Sequence, residues 1–456
     1  MIFGIVHIQM ALIALLVIGN IAIRIRNLKS LHLAFNVVLL AVIALLFLAM
    51  GLLPVSGTYL NVISANQFSS FMGFLFAIGM LLFNLVAYGH SENYGDISML
   101  AGFSFAGMYL IATSVSLVTI FIGMELSAIP SVFMILLSKR SIEAAAKFFI
   151  MASISIAILS FAIVMLYGTS NTLALQEYTH WNLLAFVAFL FIAGLSFDAS
   201  IFPFNALIPD VFQGAGAYIA GMLGGVSKKA GFAAFIQVMI LVFIAYKPAF
   251  AVIAVLSLLT MLYGNVVALL QNNIKRLMAY SSISQAGYIL IGIATASVSG
   301  IGASLFQIFA HLFLFMGAMA LVSWLESRNR TQIDDMIGLN SENRLAAFAM
   351  SVFLLSMVGL PFTTGFVGKF LLFVGAINSG LLWLAIAGII NSAISLFYYA
   401  KIIMAMYADK AHAKHLPIDA TTLAAVAICL AVTIIFGLYP GPIISLANGA
   451  ALYLLH

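Results

Sequence analysis

Eight ionisable side chains interrupt long apolar stretches of this sequence. Carboxylates, amines and imidazoles all take up and release protons, so such a set could carry protons through an apolar barrier. A charge at the centre of a membrane helix costs roughly 2.5–3.5 kcal/mol on insertion scales, and residues of this kind normally face a partner or a wet path. Each is therefore a candidate functional residue. They are Glu125, Lys147, Asp198, Lys228, Lys229, His311, Lys369 and Lys401.

Some of these positions also have a purely structural interpretation. Lys147 follows Glu143 by four residues, so the two share a helix face and could form a simple interfacial pair. Lys229 and Lys401 could extend to the lipid headgroups. His311 is either a packed polar residue or a relay group. The other four positions have no membrane surface within easy reach, which favours a functional role for them.

The composition identifies the elements that must hold these residues. Hydrophobic residues make up 64% of the 456-residue chain and charged residues 7%, against roughly 25% charged residues in soluble domains. Apolar runs of about 20 residues recur along the chain, which is typical of membrane-spanning helices and not of a β-barrel. We predict an all-α polytopic protein with fourteen helices, centred near residues 13, 42, 78, 105, 127, 155, 193, 230, 258, 287, 312, 360, 394 and 428.

The composition also excludes several function classes. The single cysteine, Cys429, cannot form an internal disulfide or a cysteine-built metal cluster. No segment resembles a soluble domain, so no redox centre, cofactor site or metal site is expected in this chain. The cations are scattered through loops and membrane, which argues against nucleic acid as a partner. The first ten residues lack the basic segment of a cleavable signal, so the first helix is expected to stay.

The basic residues predict the orientation of the helices. With alternating sides, the loops after odd-numbered helices carry twelve lysines and arginines, and the opposite loops carry only Lys247. Basic loops stay in the cytoplasm. We therefore expect a multi-pass protein of the cell membrane with both termini outside. The twelve residues are Arg24, Arg26, Lys29, Lys139, Arg140, Lys275, Arg276, Arg328, Arg330, Arg344, Lys410 and Lys414.

Two helices are interrupted near the middle of the predicted bilayer. One lies in GLSFDASIFPFNALIPD (194–210), which contains Asp198, and the other in SMVGLPFTTGFVGKF (356–370), which contains Lys369. Proline breaks a helix, and in lipid the freed carbonyls must be satisfied by protein or water. Each break is the fourth helix of a five-helix set, and sets with an odd number of helices must be inverted relative to each other. The predicted organisation is an N-terminal three-helix segment (1–97), two inverted five-helix repeats (98–243 and 244–410) and a C-terminal helix (411–456).

Several motifs resemble one family of membrane proteins. The segment NNIKRLMAYSSISQAGYILIG (272–292) is similar to the signature of the antiporter-like subunits of complex I, of cation antiporters and of membrane hydrogenases. Residues 124–175, residues 338–373 and the closing FGLYPGPIISLAN (436–448) are most similar to subunit N of NADH–quinone oxidoreductase. The resemblance covers roughly residues 90–445. It implies a proton-translocating subunit with fourteen helices and an inverted five-helix repeat.

The resemblance also assigns roles to individual residues. It implies a polar axis along the middle of the membrane, formed by a glutamate on the fifth helix and lysines on the sixth, eighth and twelfth. By motif these are Glu125, Lys147, Lys228 and Lys369. This chain departs from the family at three positions. Asp198 stands where the family has the lysine that pairs with the glutamate, and Asn205 and Gln285 stand where histidines are common.

These residues predict a mechanism in which charges control protonation. A carboxylate about 4 Å from a lysine stabilises the ammonium by roughly 4 kcal/mol at an effective dielectric constant of about 20. Moving or protonating the carboxylate therefore switches the lysine between holding and releasing its proton. With Asp198 present, our hypothesis is that Glu125 and Asp198 share a proton across one cavity and that Lys228 is the compensating cation.

Three functions fit the sequence. The first is a proton-translocating, non-redox subunit of a complex I-like dehydrogenase, with the quinone and the redox centres in partner subunits. Its partners would be other antiporter-like subunits, small membrane subunits, lipid and, indirectly, the peripheral redox arm. The alternative is a subunit of a multi-subunit cation/proton antiporter or a membrane-bound hydrogenase. The third is a scaffold that has lost translocation, which the loss of the seventh-helix lysine would allow.

Overall fold

The computed structural model of the chain is an all-α bundle. It describes residues 2–26, 28–53, 57–59, 62–139, 141–178, 183–409 and 415–455. Three of the predicted cytoplasmic cations, Arg140, Lys410 and Lys414, lie outside these residues.

The described elements follow the predicted order of apolar runs. The helices are α1 (Ile2–Arg26), α2 (Lys29–Gly51), α3 (Gln67–His90), α4 (Tyr94–Ala112), α5 (Leu117–Lys139), α6 (Ile142–Ser170), α7 (Leu184–Ala199), α8 (Ile208–Gly214), α9 (Ala217–Met222), α10 (Lys228–Leu241), α11 (Lys247–Leu269), α12 (Ile274–Ala294), α13 (Val298–Glu326), α14 (Leu339–Glu342), α15 (Arg344–Val358), α16 (Thr364–Asn378), α17 (Leu382–Tyr407), α18 (Ala420–Leu438) and α19 (Gly441–Leu455). A π-helical turn (Leu223–Ser227) joins α9 to α10, and a 3₁₀ turn (Asp334–Met336) precedes α14. Two antiparallel strands, β1 (Gly57–Tyr59) and β2 (Ile63–Ala65), form a hairpin between α2 and α3.

The described helices form the fourteen predicted crossings. Eleven single helices are long and apolar enough to cross a bilayer. Three further crossings each consist of two shorter helices: α7 with α8, α9 with α10, and α15 with α16. The predicted C-terminal helix (411–456) consists of two helices, because α19 continues α18 along α13. Cys429 of α18 lies beside Gly317 of α13, and Asn448 of α19 lies beside Gly302.

Two five-helix repeats, inverted relative to each other, make up the central part of the described chain. The first runs from α4 to α10 and the second from α11 to α17, and each contains one broken crossing. The first two helices of both repeats pack through a glycine. A Cβ atom on Gly107 would lie 2.6 Å from the carbonyl oxygen of Gly123, and one on Gly264 would lie 2.6 Å from the amide nitrogen of Ser284. The first two helices of each repeat are thus packed closely at a glycine of the first helix.

Helices α12 and α13 form the centre of the bundle. Both are buried along their whole apolar length, and α13 contacts α3, α9, α12, α15, α16, α18 and α19. A helix that is buried on every side can keep polar side chains only if they are hydrogen-bonded to neighbours. These two helices carry most of the polar contacts described below.

Gly365→Ala is expected to destabilise the break in the twelfth crossing. A Cβ atom at this position would lie 1.9 Å from the carbonyl oxygen of Ser356, so the two halves of the crossing would have to separate. Overpacking of this kind costs about 1–3 kcal/mol. The measurement is the midpoint of thermal aggregation of the detergent-solubilised protein. Gly168→Ala is the control, because a Cβ atom there meets nothing within 4 Å, and equal midpoints for the two variants would contradict the prediction.

Candidate functional site

The break in the seventh crossing places Asp198 at the end of a half-helix. Helix α7 ends at Ala199, Ser200 adopts a left-handed conformation with φ 58°, and the chain is not α-helical again until Ile208. The backbone of Asp198 lies against Gly231 of α10, where a Cβ atom would approach its carbonyl carbon to 2.7 Å. The small residue on α10 therefore lets the acidic residue come close to the eighth crossing.

Asp198 and Lys228 line the same cavity. This inner cavity has a volume of about 20 Å³, which is room for about one water molecule. Ser200 and Ser227 contribute polar atoms to its wall, and Phe212 contributes an aromatic ring. The acid and the lysine can therefore exchange a proton through a single intervening water.

Lys228 is the first residue of α10 and is only 5% exposed. It follows the π-helical turn, a type of helix irregularity that is frequent at functional sites. Its Nζ donates a hydrogen bond to Ser282 Oγ of α12 at 3.0 Å and lies 5.2 Å from the centre of the Phe212 ring. The ammonium thus connects the seventh crossing with the central helix α12.

Glu125 lies on α5 and is partly buried. It does not line the inner cavity that Asp198 and Lys228 share. Neither carboxylate forms an ion pair with a described residue. The structure therefore gives neither acid a directly bound cation among the described residues.

Lys229 forms a second buried contact, with His311 of α13. Its Nζ lies 2.7 Å from His311 Nδ1, and the two residues are 2% and 0% exposed. The His311 ring stacks on Phe315 with 5.2 Å between the ring centres. The interpretation that Lys229 extends to the lipid headgroups is wrong, because its side chain points into the bundle.

Two glutamines continue the polar path along α12 and α13. Gln307 lies one helical turn before His311 and donates from Nε2 to Gln285 Oε1 at 3.0 Å. Gln285 in turn donates from Nε2 to the carbonyl oxygen of Met357 at 3.1 Å. That carbonyl belongs to the last turn of α15, just before the break in the twelfth crossing.

Lys369 lies at this second break and is 3% exposed. Its Nζ donates to the carbonyl oxygen of Val358 and to Ser392 Oγ, both at 2.9 Å. The same ammonium lies 4.2 Å from the centre of the Tyr288 ring. The carbonyls freed by the break are thus bound by a lysine, a glutamine and a serine, as the absence of water in lipid requires.

Buried polar atoms without a protein partner accompany this path. Such atoms are the usual binding points of ordered water. Within the described residues they include Ser200 Oγ, Asn205 Nδ2, Ser284 Oγ, Gln307 Oε1, His311 Nε2 and Thr364 Oγ1. They lie near the first break, along α12 and α13, and near the second break.

Comparison with known proteins agrees with this architecture. A sequence model of the family described as "NADH:quinone oxidoreductase/Mrp antiporter, TM" matches residues 114–395. The chain belongs to this family. It is 31% identical over 447 residues to the F(420)H(2) dehydrogenase subunit N of Methanosarcina mazei, covering 91% of each chain. It is 33% identical to the NADH-quinone oxidoreductase subunit N of Heliobacterium modesticaldum, covering 96% of this chain and 97% of the relative. A chain of respiratory complex I from Thermus thermophilus superposes with a TM-score of 0.84 at 25% identity, covering 96% of this chain and 99% of that one.

Lys147, a further residue assigned from this antiporter family, does not lie with the others. Its Nζ binds Glu143 Oε1 and Asp210 Oδ2, both at 2.7 Å, and its side chain is 30% exposed. Arg276 Nη1 binds the other oxygen of Asp210 at 2.5 Å. These four residues line an open cavity of about 370 Å³, which we call the mouth. Since Arg276 belongs to a predicted cytoplasmic loop, the mouth faces the cytoplasm on the predicted topology.

Lys401 is also separate from the buried groups. Its Nζ donates to Asn272 Oδ1 at 2.7 Å, in the exposed segment between α11 and α12. We therefore do not include Lys401 in the path of this antiporter-family chain. Among the described residues, no group of three or more histidine, cysteine, aspartate or glutamate side chains could hold a metal ion.

The sequence analysis did not predict the buried hydrogen bonds of Lys229 with His311 and of Gln307 with Gln285. A signal for Lys229 was available: consecutive residues on a helix point about 100° apart, so Lys228 and Lys229 cannot share an environment. Gln307 and His311 are spaced i, i+4, which places them on one face of α13. Reading these two spacings together would have predicted a polar face on the eleventh helix of this antiporter-family chain.

Proposed function

We propose that this chain is a proton-translocating membrane subunit of a complex I-like respiratory dehydrogenase. The observation that carries the proposal is the run of buried groups from Asp198 and Lys228, past Lys229 and His311, to Lys369. Buried ionisable groups are kept in membranes mainly where ions or protons pass. The chain's likeness to dehydrogenase subunits along almost its whole length supports the same function.

The first half of the path works as a switch between an acid and a lysine. Asp198 and Lys228 face one cavity that holds about one water, so their charges interact at low dielectric. When Asp198 is ionised, the ammonium of Lys228 is stabilised; when Asp198 takes up a proton, that stabilisation is lost and Lys228 can release its own. Glu125 is the second carboxylate of this half of the path.

The second half of the path receives the proton or its electrostatic effect through α13 and α12. Neutral glutamine side chains hydrogen-bond but have no titratable proton. Gln307 and Gln285 therefore orient the path, and water bound to the unpartnered polar atoms beside them must carry the proton itself. Lys369, with its ammonium bound by Val358 and Ser392, is the acceptor at the far break.

The redox chemistry belongs to partner subunits in this proposal. The quinone and the electron carriers bind there, and this chain contacts other antiporter-like subunits, small membrane subunits and lipid. The chain lies in the cell membrane with both termini outside, because the twelve predicted basic loop residues then face the cytoplasm. Electron transfer moves charge at the neighbouring subunit, and this movement acts on the first carboxylates of the path.

Inverted membrane vesicles from cells that lack this chain test the proposal. An electron donor such as NADH should acidify vesicles from complemented cells, observed as quenching of a pH-sensitive acridine dye. Vesicles without the chain should show electron transfer with reduced acidification. Equal acidification with and without the chain would contradict the proposal and favour a structural role without proton translocation.

The second candidate function is a subunit of a cation/proton antiporter, because the matching family includes Mrp antiporters as well. The same vesicles distinguish the two. An antiporter converts an added sodium or potassium gradient into a pH gradient without an electron donor. Acidity that responds to the cation gradient alone, and not to the donor, would favour the antiporter.

Lys229→Met is expected to lower donor-driven acidification roughly tenfold, which is less than the roughly 100-fold or more that a group transferring the proton itself contributes. The variant removes the hydrogen bond to His311 Nδ1 and the only described ammonium on that side of α10. Methionine keeps the volume, so assembly should persist. Lys29→Met is the control, because Lys29 lies at the start of α2 and contacts the Ser91 carbonyl and the Tyr88 ring. Unchanged acidification in Lys229→Met would make the Lys229–His311 contact structural only.

A further inference from the structure

The mouth and the inner cavity lie one after the other along α6 and α8. The same two helices line both. On α6, Ala144 lines the mouth and Phe148 lines the inner cavity; on α8, Gln213 lines the mouth and Phe212 lines the inner cavity. The volumes are about 370 Å³ and about 20 Å³. Along α6, the mouth therefore lies about one helical turn from the inner cavity that Asp198 and Lys228 line.

Two phenylalanines line the inner cavity on the helices that it shares with the mouth, and neither lines the mouth. Phe212 is completely buried, and its ring centre lies 5.2 Å from Lys228 Nζ. Phe148, one helical turn after Ala144 of the mouth, packs on Phe197 with 5.8 Å between ring centres. Narrow apolar constrictions between wet compartments block passage by losing their water.

Charged contacts hold α8 in this position. The helix has only seven residues and is preceded by the non-helical segment 200–207, so it has little support from chain continuity. Asp210 binds Lys147 of α6 at 2.7 Å and Arg276 of α12 at 2.5 Å. Arg276 also donates to Gln213 Oε1 at 3.1 Å. The face of α8 that lines the mouth is thereby tied to both neighbouring helices. Phe212, two residues after Asp210, points away from this face and lines the inner cavity.

We propose that Phe212 is the barrier between cytoplasmic water and the inner cavity, and that the ion pairs of Asp210 keep this barrier closed. Phe212 is then a gating residue for proton entry and Lys147 is a positioning residue that acts through α8. The inference rests on the proposed function, because a barrier to water matters only if the inner cavity handles protons. Its test, however, does not require protons to move.

Access to the inner cavity can be measured with a thiol. Ser227→Cys places a reactive group in the cavity wall, and the intact complex in inverted vesicles is exposed to 2-aminoethyl methanethiosulfonate from the cytoplasmic face. The labelling rate is followed by mass spectrometry. Adding Phe212→Ala should accelerate labelling at least about tenfold, equivalent to roughly 1.4 kcal/mol in the free energy of opening. The parent chain, whose only cysteine is the buried Cys429, measures background labelling.

Matched variants separate the barrier from a general loosening of the bundle. Phe191→Ala removes the same volume from α7 at a completely buried position that lines neither cavity, and it should leave the labelling rate unchanged. If Phe212→Ala does not assemble, Phe212→Leu should give an intermediate acceleration. Labelling of Ser227→Cys that is equally fast with Phe212, leucine or alanine would overturn the barrier, whether or not the chain translocates protons.

The ion pairs are tested in the same background. Asp210→Asn should also accelerate labelling, because it weakens the contacts of α8 with Lys147 and Arg276. Asp96→Asn is the control, since Asp96 forms a comparable ion pair with Arg24 on other helices. An unchanged rate in Asp210→Asn, with a faster rate in Phe212→Ala, would overturn the role of the ion pairs alone.

Discussion

Lys228→Met is expected to lower donor-driven proton translocation at least about a hundredfold, a loss within the range that positioned proton carriers contribute. Lys228 is the cation of the inner cavity, and its Nζ also donates to Ser282 of α12. Without it, no ammonium faces Asp198, and the path loses its connection between the seventh crossing and the centre of the bundle.

Assembly of this variant should be normal. Methionine fills a volume similar to that of lysine, and it removes the desolvation cost of a buried ammonium that has no directly bound carboxylate among the described residues. The measurement is acridine quenching in inverted vesicles, normalised to the amount of assembled complex and to the rate of electron transfer. Lys247→Met is the control, because Lys247 begins α11 at an exposed position. Full proton translocation in Lys228→Met would remove Lys228 from the mechanism.

Asp198→Asn is expected to lower proton translocation about tenfold or more. The amide has nearly the shape of the acid, so the packing of Asp198 against Gly231 is kept. It cannot take up or release a proton near neutral pH, and the switch with Lys228 is lost. The same vesicle measurement applies, and full activity would make the acid a bystander.

The companion variant Asp198→Lys is expected not to restore activity. It would place a second ammonium in a cavity of about 20 Å³ that already contains Lys228, and like charges at such range destabilise each other. This variant separates two explanations of why an acid stands at position 198. Activity equal to the parent would mean that the lysine–glutamate pair usual in the family can operate here and that Asp198 has no special role.

Much of the fold could be predicted because membrane helices leave a strong record in the sequence. The apolar runs predicted the crossings, and the segments around Gly359 and Pro203 predicted the two broken helices. The breaks also predicted that freed carbonyls need polar partners, and Lys369 bound to the Val358 carbonyl is such a partner. The motif resemblance placed Lys228 on the eighth crossing, and the structure brings it to the cavity that Asp198 also lines.

Other features could not be predicted from hydropathy, because they depend on how side chains point once helices pack. Lys147 lies at membrane depth by position in the sequence, but Asp210 and Glu143 hold its ammonium in the open mouth. Lys229 was interpreted as an interfacial residue, but its position on α10 turns it towards His311. Hydropathy averages over a helix and contains no information on the direction of a single side chain. The division of the last crossing into α18 and α19 was missed for a related reason, since both helices are apolar.

Two neighbouring lysines at the start of α10 have a consequence for motion. Because they point in different directions, Lys228 towards α12 and Lys229 towards α13, a turn of this one helix about its long axis carries both ammonium groups at once. As one swings out of its bonding position, the other must swing too. The five-residue π-helical turn that precedes them contains one residue more per turn than an α-helix. If this turn changed to α-helical geometry, α10 would rotate, and Lys228 and Lys229 would move together.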